Sequence, residues 1–261
     1  MSGTRSHLHR AQATEDEAGI SLLIVAHGEC GGVGDDRLVH RVAERVRGWP
    51  RFNAVNACFI RGEPSIKAVA QNRPAGATAV YPLFMSDGYY VKHAIPEYLG
   101  SASGRDTGDQ PAVRIMRPVG LNPKLPLLFA ELAKHAAHSA GMNCREASLL
   151  LVAHGSGKSP ESRKATLAVA AALEKADLFA AIETGFLEEA PFLPDQLATI
   201  AGPVIAVGLF IGEGMHGAED LPQAIRDCGR DDIVLAEPLS RSPALLDLIC
   251  DELAEALELS L

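Results

Sequence analysis

Three residues able to hold a metal ion or move a proton stand far apart in the chain: His154, Glu188 and His216. Two imidazoles and a carboxylate suit a borderline divalent ion such as Co²⁺, Fe²⁺ or Ni²⁺. Imidazole also titrates near neutrality, which suits proton transfer. Taken singly, each has an ordinary reading. His154 precedes a glycine in a loop, Glu188 and Glu189 form an acidic pair, and His216 stands before a helix start at Glu219-Asp220-Leu221-Pro222. What sets them apart is that each follows a short apolar run.

Those runs belong to a duplicated pattern. Ser21-Leu22-Leu23-Ile24-Val25-Ala26-His27-Gly28 matches Ser148-Leu149-Leu150-Leu151-Val152-Ala153-His154-Gly155 at an offset of 127. The same offset aligns Phe59-Ile60-Arg61-Gly62-Glu63-Pro64 with Phe186-Leu187-Glu188-Glu189-Ala190-Pro191, and an offset of 126 aligns Leu83-Phe84 with Leu209-Phe210. A repeat this ordered marks two copies of one structural unit. Apolar runs near 21–26, 54–60, 78–84 and 112–116, and again near 147–153, 180–187, 203–210 and 231–236, read as strands. Helical periodicity lies between them, as in Asp35–Arg47 and Pro160–Lys175. Continuous apolar strands imply burial on both faces, hence parallel sheets flanked by helices. The expectation is an α/β protein of two βα domains, 20–140 and 141–261, each with a four-stranded, mainly parallel sheet, and with an active-site cleft between them. Residues 1–19 are expected to form a disordered tail. Ligands of open parallel sheets bind beyond the carboxyl ends of the strands, where His154, Glu188 and His216 fall.

The ordered set Leu-Val-Ala-His154-Gly155-Ser156, Phe186-Leu187-Glu188 and Gly214-Met215-His216, with Asp220-Leu221-Pro222 beyond it, resembles the class II tetrapyrrole chelatases, the sirohydrochlorin cobaltochelatase and ferrochelatase family. The likeness runs from about Ser21 nearly to the end. It implies insertion of Co²⁺ or Fe²⁺, as substrate, into sirohydrochlorin or a related tetrapyrrole, without an organic cofactor. It implies that His154 and His216 bind metal and take protons, with Glu188 assisting. A metal enters the macrocycle only when two pyrrole N–H protons leave, and an open ligand set can release the ion again. Sirohydrochlorin carries many carboxylates, so basic residues at the mouth should pair with them. Candidates are Lys158, Arg163 and Arg241 in the second half and Lys92, Arg114 and Arg117 in the first, with Ser156 beside them.

The first half departs from this pattern. It keeps His27, but Arg61 stands at the place of Glu188 and Tyr90 at that of His216. This copy is expected to have lost metal handling and to bind substrate instead, through His27, Arg61, Tyr89 and Tyr90. His93 reads as a surface or helix-start residue, and Cys30 as a thiol in a loop.

The totals narrow the remaining classes. With 47% hydrophobic and 22% charged residues the chain can build a sizeable core. A net charge of −9 speaks against general nucleic-acid binding. No apolar run approaches the roughly 18 residues of a membrane span, and residues 1–19 lack a signal-peptide pattern. Five cysteines without a Cys-x-x-Cys pair fit a reducing cytoplasm. Ala26 and Ala153 stand where histidine phosphatases need Arg, and there is neither a Gly-x-Ser-x-Gly elbow nor a phosphate loop. A metal or tetrapyrrole carrier using the same pocket, and a protoporphyrin ferrochelatase, remain open, as do monomer and homodimer.

Overall fold

A computed structural model describes residues 19–28, 37–74, 76–102, 113–212 and 219–258. The tail expected over 1–19 lies almost wholly outside the described residues, as do Cys30 and His216. The first half runs β1 (Ile20–Ala26), α1 (Arg37–Val46), β2 (Phe52–Phe59), α2 (Ile66–Asn72), β3 (Thr78–Pro82), α3 (Ile95–Ala102), β4 (Val113–Ile115) and α4 (Leu125–Ser139). The second repeats the plan with β5 (Ser148–Ala153), α5 (Glu161–Glu174), β6 (Ala181–Phe186), α6 (Leu193–Thr199), β7 (Val204–Gly208), α7 (Leu221–Asp227), β8 (Ile233–Leu235) and α8 (Pro243–Glu258). The strand orders are β2-β1-β3-β4 and β6-β5-β7-β8, with every pairing parallel.

Alternation along the central strands sorts the core into layers, because successive side chains leave opposite faces of a strand. Leu22 and Ile24 of β1 share one buried cluster with Leu149 and Leu151 of β5. Leu23 and Val25 join a separate cluster with Ile66 and Ile95, under α2 and α3. Leu150 and Val152 join a third with Leu193 and Leu221, under α6 and α7. The inner faces of the two sheets therefore share one core, filled by α1, α4, α5 and α8, and each outer face has its own. Burial on both faces holds for β1, β3 and β5, whereas β4 at its sheet edge is largely exposed and β8 half-buried.

The last helix of each half crosses over. Helix α4 packs on β7 and β8 of the second sheet, and α8 packs on α1 of the first half. Glu252 of α8 is buried in this crossover. Its Oε2 accepts from the Tyr81 hydroxyl at 2.8 Å and from Asn122 Nδ2 at 2.8 Å. Its Oε1 accepts from Arg117 Nε at 3.1 Å and Nη2 at 2.6 Å. A buried carboxylate is tolerated when its oxygens are satisfied in this way. Burial, followed by the facing Glu252 carboxylate, holds the Tyr81 phenol well above the ordinary tyrosine range. Among the described residues no helix is long and apolar enough to cross a membrane.

Candidate active site

In both sheets the second strand and the third leave the first in opposite directions, so β1 and β5 end beside the point where the strand order reverses. Open α/β sheets bind ligands at this place. His27 follows β1 and His154 follows β5. The next residue turns the chain: Gly28 has φ +71° and Gly155 φ +74°, a left-handed conformation that favours glycine. Space is short as well. A Cβ on Gly28 would lie 1.7 Å from the Arg61 carbonyl oxygen, and one on Gly155 2.7 Å from Glu189 Cγ.

Strand pairing continues past the strand ends and delivers the next candidate. Leu187 N donates to the Ala153 carbonyl at 3.1 Å, and Glu188 N to the His154 carbonyl at 2.9 Å. The first half repeats this with Ile60 N to Ala26 O at 3.0 Å and Arg61 N to His27 O at 2.7 Å. Both segments then pass through a cis proline, Pro64 and Pro191. Glu188 and Arg61 are thus fixed beside their histidines by main-chain bonds, whatever their side chains.

The ring orientations follow from the carbonyls they meet. His154 Nδ1 lies 3.0 Å from the Gly155 carbonyl oxygen, and His27 Nδ1 lies 2.8 Å from that of Gly28. A carbonyl oxygen only accepts, so in the neutral ring Nδ1 carries the proton, and Nε2 is the nitrogen whose chemistry suits a metal ion or a proton. Glu188 Oε2 stands 3.7 Å from His154 Nδ1, with both side chains partly open to solvent.

The first-half copy is built differently above its histidine. The ring of Tyr90, at the aligned position of His216, meets the His27 ring edge-on at a centroid distance of 4.9 Å and stacks on Phe84 at 5.9 Å. Tyr89 is exposed and contacts Tyr90 and His93, which is itself at the surface. Arg61 is exposed.

The expected ligand set comes together in part. His154 and Glu188 are adjacent, while His216 lies outside the described residues. Among the described residues no cluster of three His, Cys, Asp or Glu side chains could hold a metal ion. Several of the expected carboxylate-binding cations are engaged within the protein. Arg163, read as a substrate ligand, donates from Nε to Glu189 Oε2 at 2.9 Å and from Nη2 to the Ala190 carbonyl. Its guanidinium carbon also lies 5.0 Å from the centroid of the Phe186 ring. Arg117 is committed to Glu252 in the crossover. Arg241 pairs with Glu237 at 3.7 Å. Arg114 and Lys158 are at the surface. Lys92 remains exposed and reaches Asp87 at 3.2 Å and, across to the second half, Glu161 at 3.7 Å. Its hydrogen bond to Asp87 raises its pKa above the ordinary lysine value. Ser156 Oγ accepts from Lys158 N at 3.2 Å.

Glu189 is the residue that reading from sequence passed over. Its Oε1 accepts from Ser156 N at 3.0 Å while its Oε2 holds Arg163. Its only signal in the sequence was that Gly62 stands in the aligned position of the first half.

Known proteins share this fold. The CbiX family model matches twice, over residues 21–136 and 148–256, one match to each half of the duplication. A probable sirohydrochlorin cobaltochelatase of Halobacterium salinarum is 24% identical over 221 residues, covering 78% of this chain and 75% of its own. The solved structure of CbiX, described as the terminal enzyme for siroheme biosynthesis in denitrifying bacteria, is 30% identical with a TM-score of 0.73, over 90% of this chain and 99% of that one. SirB from Bacillus subtilis with Fe³⁺ has a TM-score of 0.76 at 17% identity, over 91% and 95% of the two chains, and shares the fold. Duplicated parallel sheets with a His-Gly turn at the switch point of each define a class II chelatase. The chain belongs to the CbiX family.

Proposed function

We propose that the protein inserts a divalent metal ion, Co²⁺ in first place and Fe²⁺ in second, into sirohydrochlorin or a closely related tetrapyrrole, supplying cobalamin or siroheme synthesis. The observation that carries this is His154. It follows the central strand of the second half at the switch point, its Nδ1 is tied to the Gly155 carbonyl at 3.0 Å, and Glu188 Oε2 stands 3.7 Å from that same nitrogen. The named activity of the halobacterial relative, and the siroheme role of the relative at 30% identity, support the substrate class.

In this reading the tetrapyrrole lies between the two His-Gly turns. His154 accepts a pyrrole proton, with Glu188 assisting. The incoming ion is held by His154 and Glu188, with His216 completing an open set that releases it into the ring. The first half contributes a wall, with Tyr89 and Tyr90 against the macrocycle face and Arg61 and Lys92 toward its carboxylates. Tyr90 against His27 disfavours a second metal site there. Arg163 is held by Glu189 and the Ala190 carbonyl, and Arg117 by Glu252.

The test is incubation of the purified protein with sirohydrochlorin and Co²⁺, then Fe²⁺, following loss of the metal-free absorbance. Many turnovers per protein are expected, faster with Co²⁺. Saturable binding without turnover would leave a carrier and remove the enzyme.

A further inference from the structure

Glu189 joins three pieces of the second half that are separate in sequence. Its Oε1 takes the N–H of Ser156, two residues after His154. Its Oε2 takes Arg163 Nε from the first turns of α5. Its own backbone follows Glu188. Arg163 closes the ring by donating to the Ala190 carbonyl and lying over Phe186, the last residue of β6. The Glu189 side chain is mostly buried, at 15% exposed, and Arg163 is 35% exposed, so the pair is shielded from competition by water more than a surface bridge is. Glu189 Cγ also fills the space above Gly155.

We infer that Glu189, braced by Arg163, is a positioning residue that locks the His154-Gly155-Ser156 turn against the Glu188 strand end and so sets the His154–Glu188 geometry. This rests on the reading of His154 and Glu188 as the metal-handling pair. The main-chain bond from Glu188 to His154 sets how closely the two strands run. It does not fix the turn that follows, whose Gly155 carbonyl orients the His154 ring. Gly155 N donates to Ser162 Oγ of α5 at 3.2 Å, and Glu189 adds the constraint at Ser156, with one oxygen on the turn and the other on a cation held by α5. In the first half Gly62 occupies the aligned place and offers no carboxylate. The brace therefore belongs to the half that keeps the His–Glu pair. Partners that orient ligands in this way typically contribute about 10- to 100-fold to metal affinity or activity.

The test compares Glu189→Ala, Glu189→Gln and Arg163→Lys with wild type by steady-state metal insertion, by Co²⁺ titration without tetrapyrrole, and by NMR of the His154 ring and the Ser156 amide. Glu189→Ala should lower kcat about 10- to 100-fold with KM for the tetrapyrrole held within about twofold. It should weaken Co²⁺ binding and shift both NMR signals. Glu189→Gln keeps an acceptor for the Ser156 N–H and should recover most of kcat. Should Glu189→Ala fail to fold, Arg163→Lys, which loses the planar fork, is expected to show the same fall in kcat at a smaller size. Wild-type kcat and unshifted His154 signals in Glu189→Ala would overturn the inference. Wild-type protein without turnover would instead remove the proposed function, and the NMR comparison would still decide whether Glu189 holds the turn.

Discussion

The backbone N–H of Glu188 donates to the carbonyl of His154 at 2.9 Å, and the two side chains then meet at 3.7 Å. The first half makes the same main-chain bond between Arg61 and His27 at 2.7 Å. Duplication has thus preserved the scaffold that sets two positions side by side, while the residues placed on it have diverged from a His–Glu pair to a His–Arg pair. Arg61 brings an exposed cation to the place where Glu188 brings a carboxylate, and a guanidinium, which only donates, is no ligand for a metal ion.

Charge at Arg61 and Lys92 should therefore matter for substrate rather than for metal. Arg61→Ala and Lys92→Ala are expected to raise KM for the tetrapyrrole several-fold, roughly, with kcat little changed. The effect should shrink as salt is raised, because both residues are exposed. Initial rates at low and high ionic strength check this.

The two glycines after the histidines should differ in tolerance. Gly155→Ala places a Cβ in left-handed backbone 2.7 Å from Cγ of Glu189, a side chain that Ser156 and Arg163 hold, and is expected to cost about 2 kcal/mol. Gly28→Ala adds a clash with the Arg61 main chain at 1.7 Å, and should cost about 3 kcal/mol or more. Urea unfolding of both variants measures the order.

The repeat, the strand positions and the parallel class were legible in the sequence, because an apolar run bounded by turns marks a strand wherever it sits. The runs at 21–26 and 147–153 overlie β1 and β5 to within a residue. The exchange of α4 and α8 was not legible. Periodicity in a helix marks which face is apolar and says nothing of which sheet it covers, and Leu125, Phe129 and Ala133 would fit either. The pairing of Arg163 with Glu189 and of Arg117 with Glu252 was hidden for a related reason, since an unpaired cation and a paired one look alike in one dimension. The adjacency of His154 and Glu188 was legible because both positions lie at strand ends, which the repeat fixes twice.

The crossover should be the stability keystone. Glu252→Ala leaves Tyr81, Asn122 and Arg117 without their shared acceptor in a buried place and should cost about 3–5 kcal/mol. Arg117→Ala should cost less, because the Arg117 side chain is 48% exposed while that of Glu252 is 10% exposed. Chemical denaturation of both variants provides the comparison.

Alkaline stability should be limited by two buried groups. Burial pushes the Cys58 thiol from 9.0 up to about 12, and raises the Tyr81 phenol together with Glu252. Both are neutral in the folded protein and ionise more readily when it unfolds. Their contribution is full below the unfolded values, about 9 for the thiol and about 10 for the phenol, and is lost as pH rises toward the folded values. Unfolding free energy should fall by about 1.4 kcal/mol per pH unit for each group in its window. Cys58→Ala should remove the loss that begins near pH 9, as read from denaturation at a series of pH values.

The central claim is that the second half carries the chemistry, and kcat for Co²⁺ insertion in His154→Ala beside His27→Ala tests it most directly. A fall of about 100-fold or more is expected for His154→Ala, with His27→Ala keeping kcat near the wild-type value. A fall in His27→Ala with His154→Ala unaffected would contradict it and move the working site to the first half.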